Sequence, residues 1–131
     1  MVLDTSAVLA ILFGEPEADR MMRAVASAPR RLIGAPALVE ASAVLMARKG
    51  VAADVVLDAW LRRVDLKVAP LGEEGAEHAR RAYARWGKGL GDPPVLNYGD
   101  CLSYGVAMAS GEPLLFRGED FRHTDVAVAP Y

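Results

Sequence analysis

Short apolar runs that stop at polar residues, each followed by a stretch with helical spacing, leave a chain few ways to fold. Met1, Val2 and Leu3 form such a run, ending at Asp4, and a second apolar run begins at Ala7 and continues to residue 13. The first is consistent with a buried strand, and the second, closed by Gly14, with a short helix. Asp4 then sits where a central strand stops and a helix begins. Asp, Thr and Ser all accept hydrogen bonds from the unpaired amides of a helix start, so Asp4 has a structural reading as a cap beside any chemical one. The positions of the other acids decide between them.

The pattern repeats along the chain. Ala18, Met21, Met22 and Val25 lie at helical spacing in residues 15–28, and Leu32 and Ile33 form a second strand ending at Gly34. Pro36 suits the first turn of a helix whose apolar face is Leu38, Ala41, Leu45 and Met46 and which Gly50 stops. A helix over residues 53–64, a strand over 66–69 and a helix over 73–86 follow. A loop over residues 86–97 carries Gly87, Gly89, Gly91, Pro93 and Pro94. Residues 98–110 then read as a helix with Asp100 in its first turn, 114–116 as a fourth strand and 126–129 as a fifth. Strands alternating with helices predict an open, mostly parallel α/β sheet with helices on both faces.

At 131 residues the chain is read as one domain, residues 1–131, and 53% apolar composition is enough for a substantial core. The longest apolar run is seven residues, far short of a membrane span, and Asp4 leaves no room for a signal peptide. A single cysteine, Cys101, excludes an internal disulfide and a thiolate zinc cluster, and points to the cytoplasm. The net charge of −2 excludes nucleic-acid binding through bulk positive charge, so any phosphate contact needs a local patch or a bound cation.

In a parallel α/β sheet the helices start at the carboxyl edge of the strands, which is also where ligands bind. Asp4 ends the first strand, Glu40 lies in the early turns of the helix after the second, and Asp100 opens the helix that leads to the fourth. Glu119 and Asp120 follow the fourth strand. Carboxylates gathered at one edge repel one another. A hard divalent cation relieves that repulsion, and an all-oxygen set suits Mg2+ or Mn2+. With only His78, His123 and one thiol available, zinc does not fit. Such a site suits phosphoryl chemistry.

Four segments, MVLDTSAV at the start, PALVEAS around Glu40, NYGDCLSYGVA around Asp100 and PLLFRGEDFRHTDVA near the end, resemble PIN-domain ribonucleases. More narrowly they resemble the VapC toxins of bacterial toxin–antitoxin pairs, and the match runs through the whole chain in order. The resemblance implies a three-layer α/β/α fold around a five-stranded parallel sheet. It also implies Mg2+- or Mn2+-dependent endonucleolytic cleavage of RNA, a homodimer, and neutralisation by a cognate VapB-like antitoxin. Carried over by position, Asp4, Glu40 and Asp100 are the core acids, and Ser6 is the hydroxyl that supports the metal site. Gly118 stands where many PIN domains carry an acid or Asn. The fourth acid is therefore sought nearby, with Asp120 preferred to Glu119 and Asp125.

Other features carry less. Arg80, Arg81, Arg85 and Lys88 form a basic stripe that reads first as a solvated helix face, although it would also suit phosphates. Arg117 and Arg122 flank the acid edge and are better placed for a scissile phosphate. Trp60 and Cys101 read as core, while Trp86, at a loop edge, is open to base stacking. Cleavage by such an edge favours structured RNA with a single-stranded loop. The competing reading is a non-catalytic binding module that docks a basic partner on its acids. A phospho-acceptor domain is disfavoured, because Leu3 precedes Asp4 and no lysine follows Lys88.

Overall fold

The computed structural model describes residues 1–131. Its strands are β1 (Val2–Leu3), β2 (Leu32–Gly34), β3 (Lys67–Ala69) and β4 (Leu114–Leu115). All pair in parallel, in the spatial order β3-β2-β1-β4. The helices are α1 (Thr5–Leu12), α2 (Ala18–Ser27), α3 (Ala35–Lys49), α4 (Asp54–Arg63), α5 (Gly72–Trp86) and α6 (Tyr98–Ser110). Short 3-10 turns span Val51–Ala53 and Asp120–His123.

The period-two alternation of the strands builds the three layers. Leu3, Ile33 and Leu115 point to one face, where they pack with Val8, Met21, Val25, Ala41, Leu45 and Trp60. Their neighbours Val2, Leu32 and Leu114 point to the other, against Ala79, Trp86, Leu96, Tyr104 and Val106. The register follows, with Val2 beside Leu32 and Leu114, and Leu3 beside Ile33 and Leu115. A slip of one residue would exchange the two cores, so the pairing is strongly specified.

The fifth strand is a correction. Residues 126–129 contribute only one bridge, Val128 to Leu114, closed by Leu114 N–H to the Ala127 carbonyl at 2.8 Å and Ala129 N–H to the Leu114 carbonyl at 2.9 Å. Its partner β4 is only two residues long, and Ala127 and Val128 are exposed. Pro130 then lacks the amide needed to extend the ladder. The sheet therefore has four strands and an appended bridge. β4 also ends one residue before Phe116, whose ring instead packs on Phe121, 4.9 Å away.

Candidate active site

Asp4 lies at the carboxyl end of β1, where its amide donates to the Leu115 carbonyl at 2.9 Å. It is both buried, at 4% exposure, and the cap of α1. Its Oδ2 accepts the Ser6 amide at 2.9 Å and the Ser6 hydroxyl at 2.6 Å. The Ser6 Oγ in turn accepts the Arg117 amide at 3.0 Å. One hydroxyl thus ties the end of β1 to the loop after β4. Both hydrogen bonds fall on Oδ2, which leaves Oδ1 for an outside ligand.

Thr5 Oγ1 donates to Glu40 Oε2 at 2.7 Å, joining the start of α1 to the early turns of α3. Glu40 also approaches α6, because a Cβ built on Gly99 would lie 3.1 Å from Oε2. Glu40 carries no burial cost in α3. The buried face of α3 is Ala37, Ala41 and Leu45, while Glu40 is exposed beside Val39 at the mouth of the site.

Asp100 forms a reciprocal cap with Asn97. The Asn97 amide donates to Asp100 Oδ2 at 2.7 Å, and the Asp100 amide donates to Asn97 Oδ1 at 2.8 Å. Burial raises its carboxyl from 3.8 to about 6, the Asn97 hydrogen bond opposing and the charges of Asp4 and Asp120 adding to the rise. Asp120 is thus near enough to be felt, and it also meets Lys88 at 3.5 Å. Of the other candidates, Glu119 pairs with Arg122 at 2.9 Å. Asp125 accepts the Tyr104 hydroxyl at 2.7 Å, with Arg85 at 3.8 Å. Gly118 adopts φ +108°, a backbone that L side chains rarely take, which accounts for the missing acid at that position.

The structure therefore brings Asp4, Glu40, Asp100 and Asp120 to one edge, but no three acids close a metal cage by themselves. The donor chemistry still fits a hard cation. All four groups are carboxylates, and Asp100 is raised partly by its acidic neighbours. Mg2+ ordinarily keeps several waters and binds through one or two carboxylates plus substrate phosphates, so an open set is sufficient.

The basic stripe is exposed, in keeping with its first reading as a solvated face. Arg81 pairs with Glu77 on its own helix, while Arg85 and Lys88 turn toward Asp125 and Asp120. Arg117 reaches Glu15 at 3.3 Å and Glu17 at 3.5 Å. Trp86 is buried, with Tyr104 edge-on at 5.8 Å, which removes it as a base-stacking platform. Cys101 is buried as expected, and burial followed by the Asp100 charge pushes its thiol up to about 11.

The family model described as PIN domain matches residues 1–127. VapC ribonuclease Mb0640 of Mycobacterium bovis is 46% identical over 127 residues, covering 97% of this chain and 96% of that protein. A ribonuclease VapC of Mycolicibacterium smegmatis is also 46% identical, over 97% of this chain and 98% of its own. The chain belongs to the PIN-domain family, in its VapC ribonuclease branch. Among solved structures, VapC20 of Mycobacterium tuberculosis, described as a sarcin-ricin loop cleaving toxin, superposes with a TM-score of 0.75 at 21% identity, covering 98% of both chains. VapBC2 of Rickettsia felis, solved on a promoter DNA fragment, gives 0.73 at 16% identity, covering 97% of this chain and 94% of its own. These two likenesses bear on the fold.

Proposed function

We propose that this chain is a Mg2+- or Mn2+-dependent endoribonuclease toxin, one PIN domain over residues 1–131, restrained by a cognate VapB-like antitoxin. The observation that carries the reading is the single edge at which β1, α3, α6 and the loop after β4 present Asp4, Glu40, Asp100 and Asp120. Relatives named as ribonucleases at 46% identity support the activity, and likeness to toxin–antitoxin complexes supports the partner.

Asp4, Asp100 and Asp120, with Glu40 at the rim, would hold the cation. Bound there, Mg2+ supplies a Lewis acid for phosphate oxygens and lowers the pKa of water. The chain's own residues set the geometry. Ser6 fixes the Asp4 carboxylate through Oδ2 and leaves Oδ1 without a hydrogen bond from the protein. Thr5 holds Glu40 toward the site, and Asn97 holds Asp100. An edge of this shape admits a splayed strand more readily than a duplex, which favours structured RNA with a single-stranded loop. The same reading expects a homodimer acting in the cytoplasm, checked by analytical ultracentrifugation and cell fractionation.

The test is cleavage of a total-RNA pool by purified protein with Mg2+, with EDTA, and with the Asp100→Asn variant. Discrete fragments only with Mg2+ and Asp100 present are expected. No fragments from folded protein under any condition would return the acid edge to the role of docking surface for a basic partner.

A further inference from the structure

A cavity of about 950 Å3 opens beside the acid edge, bordered by Ser6 and Gly118, and its walls carry four arginines, Arg20, Arg48, Arg117 and Arg122, against three glutamates, Glu15, Glu17 and Glu119. Two of these are already neutralised, Arg117 by Glu15 and Glu17 and Arg122 by Glu119. Arg20 and Arg48 make no ion pair within 4 Å. Their guanidinium groups instead lie over aromatic rings, Arg20 at 5.5 Å from the Tyr131 centroid and Arg48 at 5.1 Å from that of Phe13. A guanidinium laid on a ring keeps its plane while its N–H groups stay free for an anion.

From this we infer that Arg20 and Arg48 bind backbone phosphates of the RNA strand on one side of the scissile bond, a subsite reached from the acids past Ser6 and Gly118. The inference rests on the endoribonuclease reading. A molecule of net charge −2 meets RNA phosphates through a bound cation or a local patch, and the two arginines without an ion pair supply such a patch beside the acid edge. Arginine and aromatic groups together are what unpaired RNA strands meet in other binding sites. An acidic peptide would answer the same charges. The two guanidinium groups without an ion pair each lie on an aromatic ring, the combination on which unpaired nucleotides stack, and that favours RNA here.

The test uses a labelled single-stranded oligoribonucleotide and anisotropy across a salt series, in the Asp100→Asn background so that the probe survives. Arg20→Gln with Arg48→Gln is expected to weaken binding about tenfold. It should make the slope of log affinity on log salt shallower by about 1.4, at roughly 0.7 per lost phosphate contact. In the cleavage-competent background the pair should raise KM and leave kcat unchanged. Replacing both arginines by lysine should restore the slope, which a fold defect would not allow. Arg62→Gln on α4 serves as control. A slope equal to that control's, in protein that still cleaves RNA when Asp100 is intact, overturns this subsite and leaves the cavity to an acidic peptide. Absence of cleavage by the unsubstituted protein would instead remove the endoribonuclease reading itself.

Discussion

At Asp100 one carboxylate accepts the Asn97 amide at 2.7 Å while burial and the charges of Asp4 and Asp120 hold it near pKa 6. An acid whose folded pKa lies above its unfolded value is harder to ionise in the fold. The contribution of Asp100 to stability is therefore highest below about pH 4, falls as pH rises toward 6, and carries the full penalty above that. Asp100→Asn removes the charge and keeps an acceptor for Asn97. In EDTA at pH 8 it should be more stable than the parent by about 1–2 kcal/mol, allowing for the part of the group still in water, and the gain should vanish near pH 4. Urea melts at the two pH values check this, and equal stabilities at pH 8 would show that Asp100 is not strained. Ser6 is the other decisive residue, since its hydroxyl touches both Asp4 and the Arg117 amide. Ser6→Ala should slow cleavage about 10- to 100-fold, with a stability loss of about 1 kcal/mol. Single-turnover rates and denaturation together separate the two effects.

The helices that carry the site depend on close approaches. At the α5–α6 crossing a Cβ added to Gly105 would lie 2.3 Å from the Gly75 carbonyl oxygen, so the helices must part to admit it. Gly105→Ala should cost about 1–3 kcal/mol. Because α6 bears Asp100, it should also lower cleavage, even under conditions where the protein remains folded. An unchanged urea midpoint would mean that this crossing is looser than its geometry. The helices themselves were legible from spacing, and residues 98–110 match α6 end to end. The strand at 126–129 was not. Its apolar residues predict a fifth strand, but a two-residue partner and an exposed outer side leave it with one bridge.

For the molecule as a whole, the charges of Asp4 and Asp120 press on Asp100, and the proposed cation would relieve that repulsion. Mg2+ at about a hundred times its Kd should add roughly 2.7 kcal/mol to stability, seen as a rise in melting temperature that is lost in the Asp100→Asn variant. A rise of equal size in that variant would place the cation elsewhere.

The division between sequence and structure follows from range. Alternating apolar runs and helical spacing are local, so the sequence alone determined the α/β class, most element boundaries, and which acids fall at the carboxyl edge. Which groups neutralise one another is a long-range matter, and only the tertiary structure decided it. Asp120 pairs with Lys88 yet lies near enough for its charge to raise Asp100, while Glu119 and Asp125 are taken up by Arg122 and by Tyr104. Glu40 proves exposed, because α3 turns Ala37, Ala41 and Leu45 inward. Arg117 is held by Glu15 and Glu17, which leaves Arg20 and Arg48 as the unpaired cations of the cavity. Spacing along a chain says where a side chain starts, but the segments folded against it determine what its charge meets.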